Sequence, residues 1–370
     1  EVEEIAPLNG AELIDKLQGS AGLIVRSESK VTAEVIEKCP DLKVIGRAGT
    51  GYDNIDAKAA AAKDIAVLIA PGGNTVTTAE HTLALMFALA RHIPQANRKL
   101  VGGEWDRGFK GIELTGKTLG VVGLGNIGAV VAERAHGLHM KVIGYDPVID
   151  EERAKEIGVD LLPLDDVIKQ ADIITVHTPM LPETKHIIGK QAFENCKPGM
   201  RLINCARGGL VDEAALLEAL ENGKCGGAAL DVYEKEPPEK GSPLVNHPKV
   251  VCTPHLGAGT PEADENCAVM GAKEIIDYLE NGNIANSVNL PAVSFPRAAG
   301  ARVTLIHSNI PGMLGMITEK VAAAGLNIEN LVNKSLGEIA YTILDFNTDF
   351  PDSLVGELEA LENVKRIRVL

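Results

Sequence analysis

A glycine pattern, Gly123-Leu-Gly125-Asn-Ile-Gly128, stands in the middle of the chain. It follows an apolar, strand-like run at 118–123 and opens a helix-like stretch at 127–138. Glycines at this spacing let the backbone turn tightly and approach a pyrophosphate, which then rests on the N-terminus of the helix. The pattern therefore predicts a βαβ unit that binds a dinucleotide.

An acidic residue follows the glycines at the distance typical of such units. Asp146 directly follows the second strand-like run, at 141–145, and its carboxylate can bond both ribose hydroxyls of a dinucleotide. The same carboxylate would repel a 2′-phosphate, and the next arginine along the chain is Arg153. The sequence therefore predicts NAD rather than NADP as the cofactor.

Composition limits the partners that the chain can have. The 370 residues predict two or three domains, and a net charge of −15 argues against nucleic acid or an anionic membrane as a general partner. An anionic substrate would need a local basic pocket. No apolar run approaches the roughly 18 residues of a membrane span, and no signal peptide is recognisable, so a cytoplasmic location is predicted.

The cysteines and histidines give no sign of a metal site. The six cysteines are scattered without a Cys-x-x-Cys pair, and the nine histidines show no His-x-x-x-His spacing. Reduced, buried thiols and no metal are therefore predicted.

Strand-like and helix-like runs alternate through most of the chain, which predicts parallel sheets covered by helices on both faces. Short strands are predicted at 22–25, 42–45, 66–69, 118–123, 141–145, 173–177, 201–204, 226–230 and 249–252. After residue 300 the order becomes βαββαβ, which fits a small ferredoxin-like domain. The predicted fold is thus two Rossmann-like, doubly wound domains and a C-terminal ferredoxin-like domain.

The same patterns predict the domain boundaries. A substrate-binding domain is expected over residues 1–92 and 266–285, with the chain returning to it through a helix at 261–279. An NAD-binding Rossmann domain occupies 93–265, a linker occupies 286–299, and a regulatory domain occupies 300–370.

Three segments that follow predicted strands carry residues suited to hydride transfer. Oxidation of a hydroxyl group needs a base for its proton, and histidine is the usual choice. We assign His255 as this acid/base, with a carboxylate partner that fixes its tautomer, and Arg207 as the group that grips a substrate carboxylate with two parallel bonds. Glu236 is the preferred partner of His255, and Glu234 stays open as the alternative.

These motifs resemble one known family. The runs GLGNIG, NCARGGLVDE, ALDVYEKEPP and TPHLGA are similar to those of the D-isomer-specific 2-hydroxyacid dehydrogenases, and the resemblance covers nearly the whole chain. It implies that Arg207, Glu236 and His255 are the catalytic residues and decides for Glu236 over Glu234. The cofactor contacts that the motifs imply are Thr50, Gly123, Gly125, Asn126, Ile127, Gly128, Asp146, Thr178, Cys205, Ala206, Asp231, Gly257 and Ala258.

The first third of the chain resembles the branch of this family that oxidises 3-phosphoglycerate. The runs LIVRSESKVT, VIGRAGTGYDN and APGGNTVTTAEHTLALMFALAR carry this resemblance. It implies that Arg26, Arg47, Asn74 and Arg207 bind the substrate. Clustered arginines in so acidic a chain suit a ligand with both a phosphate and a carboxylate.

The segment Trp105-Asp106-Arg107 with Lys110 resembles one that reaches across a dimer interface toward the neighbour's phosphate. Arg107 is therefore a further candidate for substrate binding, and a homodimer or homotetramer is expected. Two other functions stay open: a glyoxylate or hydroxypyruvate reductase, and an NAD-sensing regulatory protein of the same fold.

The C-terminal motifs resemble an ACT domain, a fold that binds amino acids. The run Leu305-Ile-His-Ser-Asn-Ile-Pro-Gly312 and the later Gly325-Leu-Asn327 carry the resemblance. It implies that His307, Asn309 and Asn327 hold L-serine as a feedback effector. The alternative is that these residues only cap turns and that the domain only dimerises.

The chain departs from the family pattern in two places. It opens at Glu1 without the strand and helix that usually come first, so the substrate-binding domain is expected to lack its first strand. Gly259 stands where serine is common, which removes a hydroxyl group after His255.

Overall fold

The computed structural model describes residues 2–297 and 300–370 and divides the chain into two units. One unit contains the residues up to Gly73 together with Asp264–Leu370, and the other contains Asn74–Ala263. Glu1 and the last two residues of the predicted linker at 286–299 lie outside the described residues. The predicted domain boundaries remain a prediction.

The first unit opens with a three-stranded parallel sheet in the order β1-β2-β3. Thr32 and Asp56 begin two of its helices by accepting hydrogen bonds from backbone N–H groups. The strand predicted at 42–45 lies at 44–47. Leu42 is held in a turn instead, because its N–H donates a hydrogen bond to the carbonyl oxygen of Cys39. The elements are α1 (Gly10–Leu17), β1 (Gly22–Val25), α2 (Ala33–Lys38), β2 (Val44–Arg47), α3 (Ala57–Ala62) and β3 (Ala66–Ile69).

The second unit is built on a seven-stranded parallel sheet in the order β10-β9-β8-β7-β4-β5-β6. Its helices and strands are α4 (Thr75–Ala90), α5 (Ile93–Val101), β4 (Thr118–Val122), α6 (Asn126–Gly137), β5 (Lys141–Tyr145), α7 (Glu151–Glu156), β6 (Asp160–Leu161), α8 (Leu164–Gln170), β7 (Ile173–Val176), α9 (Lys190–Asn195), β8 (Met200–Asn204), α10 (Glu213–Glu221), β9 (Cys225–Leu230) and β10 (Val250–Cys252).

Each face of this sheet is covered by its own core. Val121 and Ile173 belong to one buried cluster, whereas the next residues, Val122 and Ile174, belong to another. Successive side chains of a strand point to opposite faces, so both faces are buried, as the prediction of a doubly wound fold requires. The strand order reverses between β4 and β7, and ligands of such sheets bind at this switch point, beyond the carboxyl ends of the strands.

A long helix, α11 (Pro261–Asn281), leads back into the first unit. The elements that follow are β11 (Arg302–Ser308), α12 (Met313–Ala323), β12 (Ile328–Leu336), β13 (Ile339–Phe346), α13 (Asp352–Glu359) and β14 (Val364–Val369). The four strands form an antiparallel sheet in the order β12-β13-β11-β14. This βαββαβ arrangement is ferredoxin-like, as predicted, and the predicted fold class is confirmed.

The ferredoxin-like sheet is covered on both faces. The helices α12 and α13 bury one face, where Val303 and Leu344 pack with Ile317. The other face, with Ile306 and Tyr341, packs against the α11 residue Tyr278 and against side chains of β2 and β3.

A buried arginine joins this domain to the end of α11. Arg302 is fully buried and pairs with Asp345 through two bonds, Nε to Oδ1 at 2.6 Å and Nη2 to Oδ2 at 2.8 Å. Its Nη1 donates to the carbonyl oxygens of Asn281 and Phe295, both at 3.0 Å, and its Nη2 also donates to that of Pro296 at 2.9 Å. All five N–H groups of the guanidinium are thereby used.

Two further side chains donate to the same helix end. The Tyr341 hydroxyl bonds the carbonyl oxygen of Gly282 at 2.7 Å, and Arg368 bonds those of Tyr278 at 3.0 Å and Leu279 at 2.7 Å. The last carbonyl groups of a helix have no partner inside the helix. The C-terminal domain supplies those partners, and its arginines also complement the negative end of the helix dipole.

In the part of the chain that the structure describes, no helix is long and apolar enough to cross a membrane. Residues 2–297 and 300–370 also contain no group of three or more His, Cys, Asp or Glu side chains that could hold a metal ion. All six cysteines are free, and five of them are buried.

Candidate active site

The glycine pattern forms the turn between β4 and α6, and its three glycines meet different surroundings. Gly123 has φ +95° and lies so close to His177 that a Cβ would approach its carbonyl carbon to 2.7 Å. A Cβ on Gly128 would lie 2.0 Å from the carbonyl oxygen of Gly123. A Cβ on Gly125 would meet nothing within 4 Å. Two glycines therefore serve the packing of the turn, and Gly125 leaves space outside it.

These surroundings make opposite predictions for two alanine variants. Gly128→Ala should lower the thermal unfolding midpoint, because the added methyl group overlaps backbone that cannot move away. Gly125→Ala should leave that midpoint nearly unchanged but weaken NAD binding by about tenfold or more, because its methyl group fills the space where a pyrophosphate would approach. Calorimetry and NAD titration of both variants separate the effects. Equal NAD binding by Gly125→Ala and the parent chain would contradict this interpretation.

The groups around the turn fit a dinucleotide. Asp146 follows β5, and its carboxylate accepts hydrogen bonds from the N–H groups of Leu124 and Val148, both at 2.8 Å. The Thr178 hydroxyl, in the segment just after β7, is buried without a hydrogen-bond partner among the described residues. An unpartnered buried hydroxyl group is uncommon in a folded protein and suits a ligand bound beside it. These groups lie at the carboxyl edge of the sheet, where α6 also begins.

The neighbouring His177 is structural. Its Nε2 lies 2.9 Å from the Thr175 hydroxyl, and burial lowers its pKa to about 4. It therefore stays neutral near pH 7.

The structure brings His255 and Glu236 together. The His255 Nδ1 lies 2.8 Å from Glu236 Oε2, while Glu236 Oε1 accepts the N–H of Tyr233 at 3.1 Å. Glu234, the alternative partner, instead lies 3.2 Å from His186 Nε2. Because the carboxylate takes Nδ1, the other ring nitrogen of His255 is left for chemistry.

A buried carboxylate shapes the loop that carries His255. Asp231 follows β9, and its backbone oxygen accepts the His255 N–H at 2.8 Å. Its side-chain oxygens accept the N–H groups of Leu256 at 2.8 Å and Gly257 at 2.7 Å. His255 has φ +56°, in the left-handed region that non-glycine residues seldom adopt. Three consecutive amides bonded to one residue hold the loop in this conformation.

The Asp231 side chain is fully buried. Burial alone would raise its pKa, but hydrogen bonds from His81, Thr253 and Leu256 outweigh that effect and hold the pKa below the ordinary value of an aspartate. The Thr253 hydroxyl donates at 2.6 Å, and His81 Nε2 lies 3.2 Å away. Nothing in the sequence around His81 indicates this contact, because its partner follows 150 residues later.

Arg207 lies in a turn after β8 that Asn204 organises. The Asn204 side chain donates to the Arg207 carbonyl oxygen at 2.9 Å and accepts the Ala206 N–H at 3.0 Å. The next residue, Gly208, packs so tightly that a Cβ would lie 1.8 Å from the carbonyl oxygen of Tyr233. The turn of Arg207 therefore lies against the segment that carries Glu236.

Comparisons with known proteins agree with this geometry. Residues 83–257 match the NAD binding domain of the D-isomer specific 2-hydroxyacid dehydrogenases. The solved structure of D-lactate dehydrogenase from Aquifex aeolicus, complexed with NAD and lactic acid, is 30% identical with a TM-score of 0.66, and the match covers 75% of this chain and 90% of that one. The chain belongs to the D-isomer specific 2-hydroxyacid dehydrogenase family. NAD is the cofactor of this family's nucleotide domain.

Two further relatives place the chain within the family. It is 48% identical over 318 residues to D-3-phosphoglycerate dehydrogenase of Bacillus subtilis (strain 168), a match that covers 86% of this chain and 60% of the relative. The TT0316 protein of Thermus thermophilus is 36% identical with a TM-score of 0.69, over 75% of this chain and 89% of that one. The chain spans about 60% of the length of the Bacillus relative.

The remaining cofactor candidates of the second unit lie beside the glycine turn, the turn of Arg207 and the loop of His255. Asn126 and Ile127 begin α6, Ala206 precedes Arg207, and Gly257 and Ala258 follow His255. Cys205 is buried, and burial raises its pKa to about 12, so it is a thiol rather than a nucleophile. Thr50 lies in the first unit, after β2.

The substrate candidates are divided between the two units. Arg26 and Arg47 lie in the first unit, where Arg26 pairs with Asp264 at 2.6 Å and Arg47 bonds the carbonyl oxygen of Ala48. Asn74 immediately precedes α4 in the second unit, and Arg107 is exposed in the segment after α5. Their roles in substrate binding stay predictions.

The effector candidates all lie in the ferredoxin-like domain and have internal partners. His307 is buried between the carbonyl oxygen of Ser308 at 2.9 Å and the Thr342 hydroxyl at 2.8 Å. Asn309 donates to the carbonyl oxygen of Gly337 at 3.0 Å, and Asn327 donates to Glu329 at 3.1 Å.

Proposed function

We propose that this protein oxidises 3-phospho-D-glycerate to 3-phosphohydroxypyruvate with NAD, the first step of phosphorylated serine biosynthesis. The observation that carries the proposal is the His255–Glu236 pair at 2.8 Å beside the turn of Arg207, at the carboxyl edge of a dinucleotide-binding sheet. The name of the Bacillus relative supports phosphoglycerate as the substrate. Arg26 and Arg47 supply cationic groups for the phosphate of such a substrate.

In this proposal the side chains divide the work. NAD bound at the turn of Gly123 and Gly125 would supply the acceptor for the hydride that leaves C2 of the substrate. Arg207 holds the C1 carboxylate and polarises the C2 oxygen. The free Nε2 of His255 takes the hydroxyl proton, and Glu236 on Nδ1 orients the ring and stabilises the imidazolium that forms. Asp231 keeps the His255 loop in place.

A substrate panel tests the proposal. We expect kcat/KM with NAD to be highest for 3-phosphoglycerate among phosphoglycerate, glycerate, lactate and 2-hydroxyglutarate, and to fall sharply for phosphoglycerate in Arg26→Gln and Arg47→Gln. NADH-dependent reduction of glyoxylate and hydroxypyruvate is measured in the same way. A higher kcat/KM for either of these compounds, unchanged in both arginine variants, would indicate a reductase instead. NAD binding with negligible turnover of every compound would indicate an NAD-sensing protein.

We also propose that the C-terminal domain is an ACT domain and that L-serine binds to it as a feedback effector of the reaction. Its βαββαβ topology supports this assignment. His307 and Asn309 lie at the end of β11, and burial lowers the pKa of His307, which leaves a neutral ring at pH 7. Calorimetric titration with L-serine should show binding that His307→Ala and Asn309→Ala weaken. Lack of binding at millimolar serine would exclude feedback by this route.

We further propose a cytoplasmic homodimer or homotetramer. The free cysteines are consistent with a reducing compartment.

Large apolar side chains of α5 and the segment after it are well exposed, with Leu100 at 57%, Val101 at 81% and Trp105 at 80%. Such a patch is typical of a protein interface. Light scattering should show a smaller particle for Leu100→Ser/Trp105→Ser than for the control Val148→Ser, which alters an apolar residue that is 88% exposed elsewhere.

A further inference from the structure

His81 extends from α4 toward the loop of the catalytic histidine. Its Nε2 lies 3.2 Å from Asp231 Oδ1 and 3.3 Å from the Thr253 hydroxyl. The His81 side chain is only 20% exposed, and that of Asp231 is fully buried. A histidine at this place can donate one hydrogen bond to the carboxylate.

The contact matters because of what Asp231 holds. Its Oδ1 accepts the Leu256 N–H and its Oδ2 the Gly257 N–H, so any rotation of the carboxylate moves the loop after His255. The His81 contact approaches Oδ1 from a different element, the helix α4. A buried carboxylate is stable only when hydrogen bonds or a charge partner replace its water. His81 provides such a hydrogen bond from a helix whose backbone is fixed by its own hydrogen bonds.

We propose that His81 is a positioning residue for the reaction, acting through Asp231 on the loop that holds His255 in its left-handed conformation opposite Glu236. This inference rests on the proposed dehydrogenase activity. It assigns His81 no contact with substrate or cofactor. Its loss should therefore change the rate of the chemical step more than the binding of the substrate.

Two substitutions distinguish positioning from packing. His81→Leu removes the donor and should lower kcat with phosphoglycerate and NAD about tenfold, since a hydrogen bond to a charged group contributes an effect of that order. The KM for phosphoglycerate should change less than about twofold. His81→Gln can place an N–H near the position of Nε2 and should recover most of kcat. The matched control His136→Leu, on the exposed side of α6, should behave as the parent chain.

A second measurement does not depend on turnover. Amide hydrogen exchange at Leu256 and Gly257 should be faster in His81→Leu than in the parent chain, and close to the parent in His81→Gln. His81→Asn, whose shorter amide cannot reach Asp231, replaces the leucine variant if that variant fails to fold, with the same expected losses. Unchanged exchange and kcat in the donor-free variant, or equal losses in glutamine and leucine variants, would overturn the proposal. Failure of the parent chain to oxidise phosphoglycerate would instead count against the proposed function, and the exchange comparison would still decide the role of His81.

Discussion

His255→Asn should lower kcat for phosphoglycerate oxidation by about 10²–10⁴-fold, the usual contribution of a general base. Asparagine cannot take the hydroxyl proton, because its amide group is not a base at neutral pH. It does tolerate the left-handed region better than most residues, so the φ of +56° at this position should be kept. Steady-state kinetics with NAD, together with NAD binding by titration, measure the effect. We expect NAD affinity within about threefold of the parent.

A matched control comes from His139, which has φ +57° and lies away from the carboxyl edge of the sheet. His139→Asn makes the same chemical change in the same backbone conformation and should leave kcat unaltered. Glu236→Gln should give an intermediate loss, because the amide can still orient the ring but no longer stabilises its charge. Near-normal turnover by His255→Asn would exclude His255 as the base.

Arg302→Leu should lower the free energy of unfolding of the first unit by about 3–5 kcal/mol, the range found when one partner of a buried ion pair is removed. The change leaves the Asp345 carboxylate buried without its partner and removes donors from three backbone carbonyl groups. Urea denaturation followed by far-UV circular dichroism, in the presence and absence of NAD, should resolve the transition of this unit.

Two controls separate charge burial from packing. Arg302→Met/Asp345→Leu removes both charges and should recover part of the stability, because no unpaired charge remains. Lys320→Met breaks an ion pair between two exposed side chains, Lys320 at 41% and Glu357 at 55%. It should change the free energy of unfolding by no more than about 1 kcal/mol. A loss below about 1 kcal/mol for Arg302→Leu would show that the Arg302 network is not a main support of the domain.

The sequence predicts the nucleotide-binding sheet well because its signals are local. Gly123, Gly128 and Asp146 define a turn and a strand end within about 25 residues, and strand limits such as 118–122 and 141–145 agree with the predicted ones to within a residue. The turn is predictable because a Cβ at Gly123 or Gly128 would collide with neighbouring backbone, so both positions require glycine. The helix α5 was not predicted, although its apolar residues recur on one face; none of its residues is buried.

Contacts between distant residues are where prediction from sequence ends. The residues alone favoured Glu236 as the partner of His255 but left Glu234 open, and only the motifs of a known family decided between the two. The pairs His81 with Asp231 and Arg302 with Asp345 were not predicted, because both contacts depend on how separate elements pack. The start of α12 also depends on the backbone: Gly312, at φ +84°, ends the turn before it, and the helix begins at Met313.

The way α11 ends has a consequence for domain exchange. Its last carbonyl groups are bonded by Arg302, Tyr341 and Arg368, which follow it in the chain but belong to the ferredoxin-like domain. A chimaera joined at residue 300 would therefore separate acceptors from donors and leave Tyr278 facing a foreign surface. A workable exchange would have to transfer the end of α11 together with the domain, so the segment to be exchanged is larger than the ferredoxin-like fold.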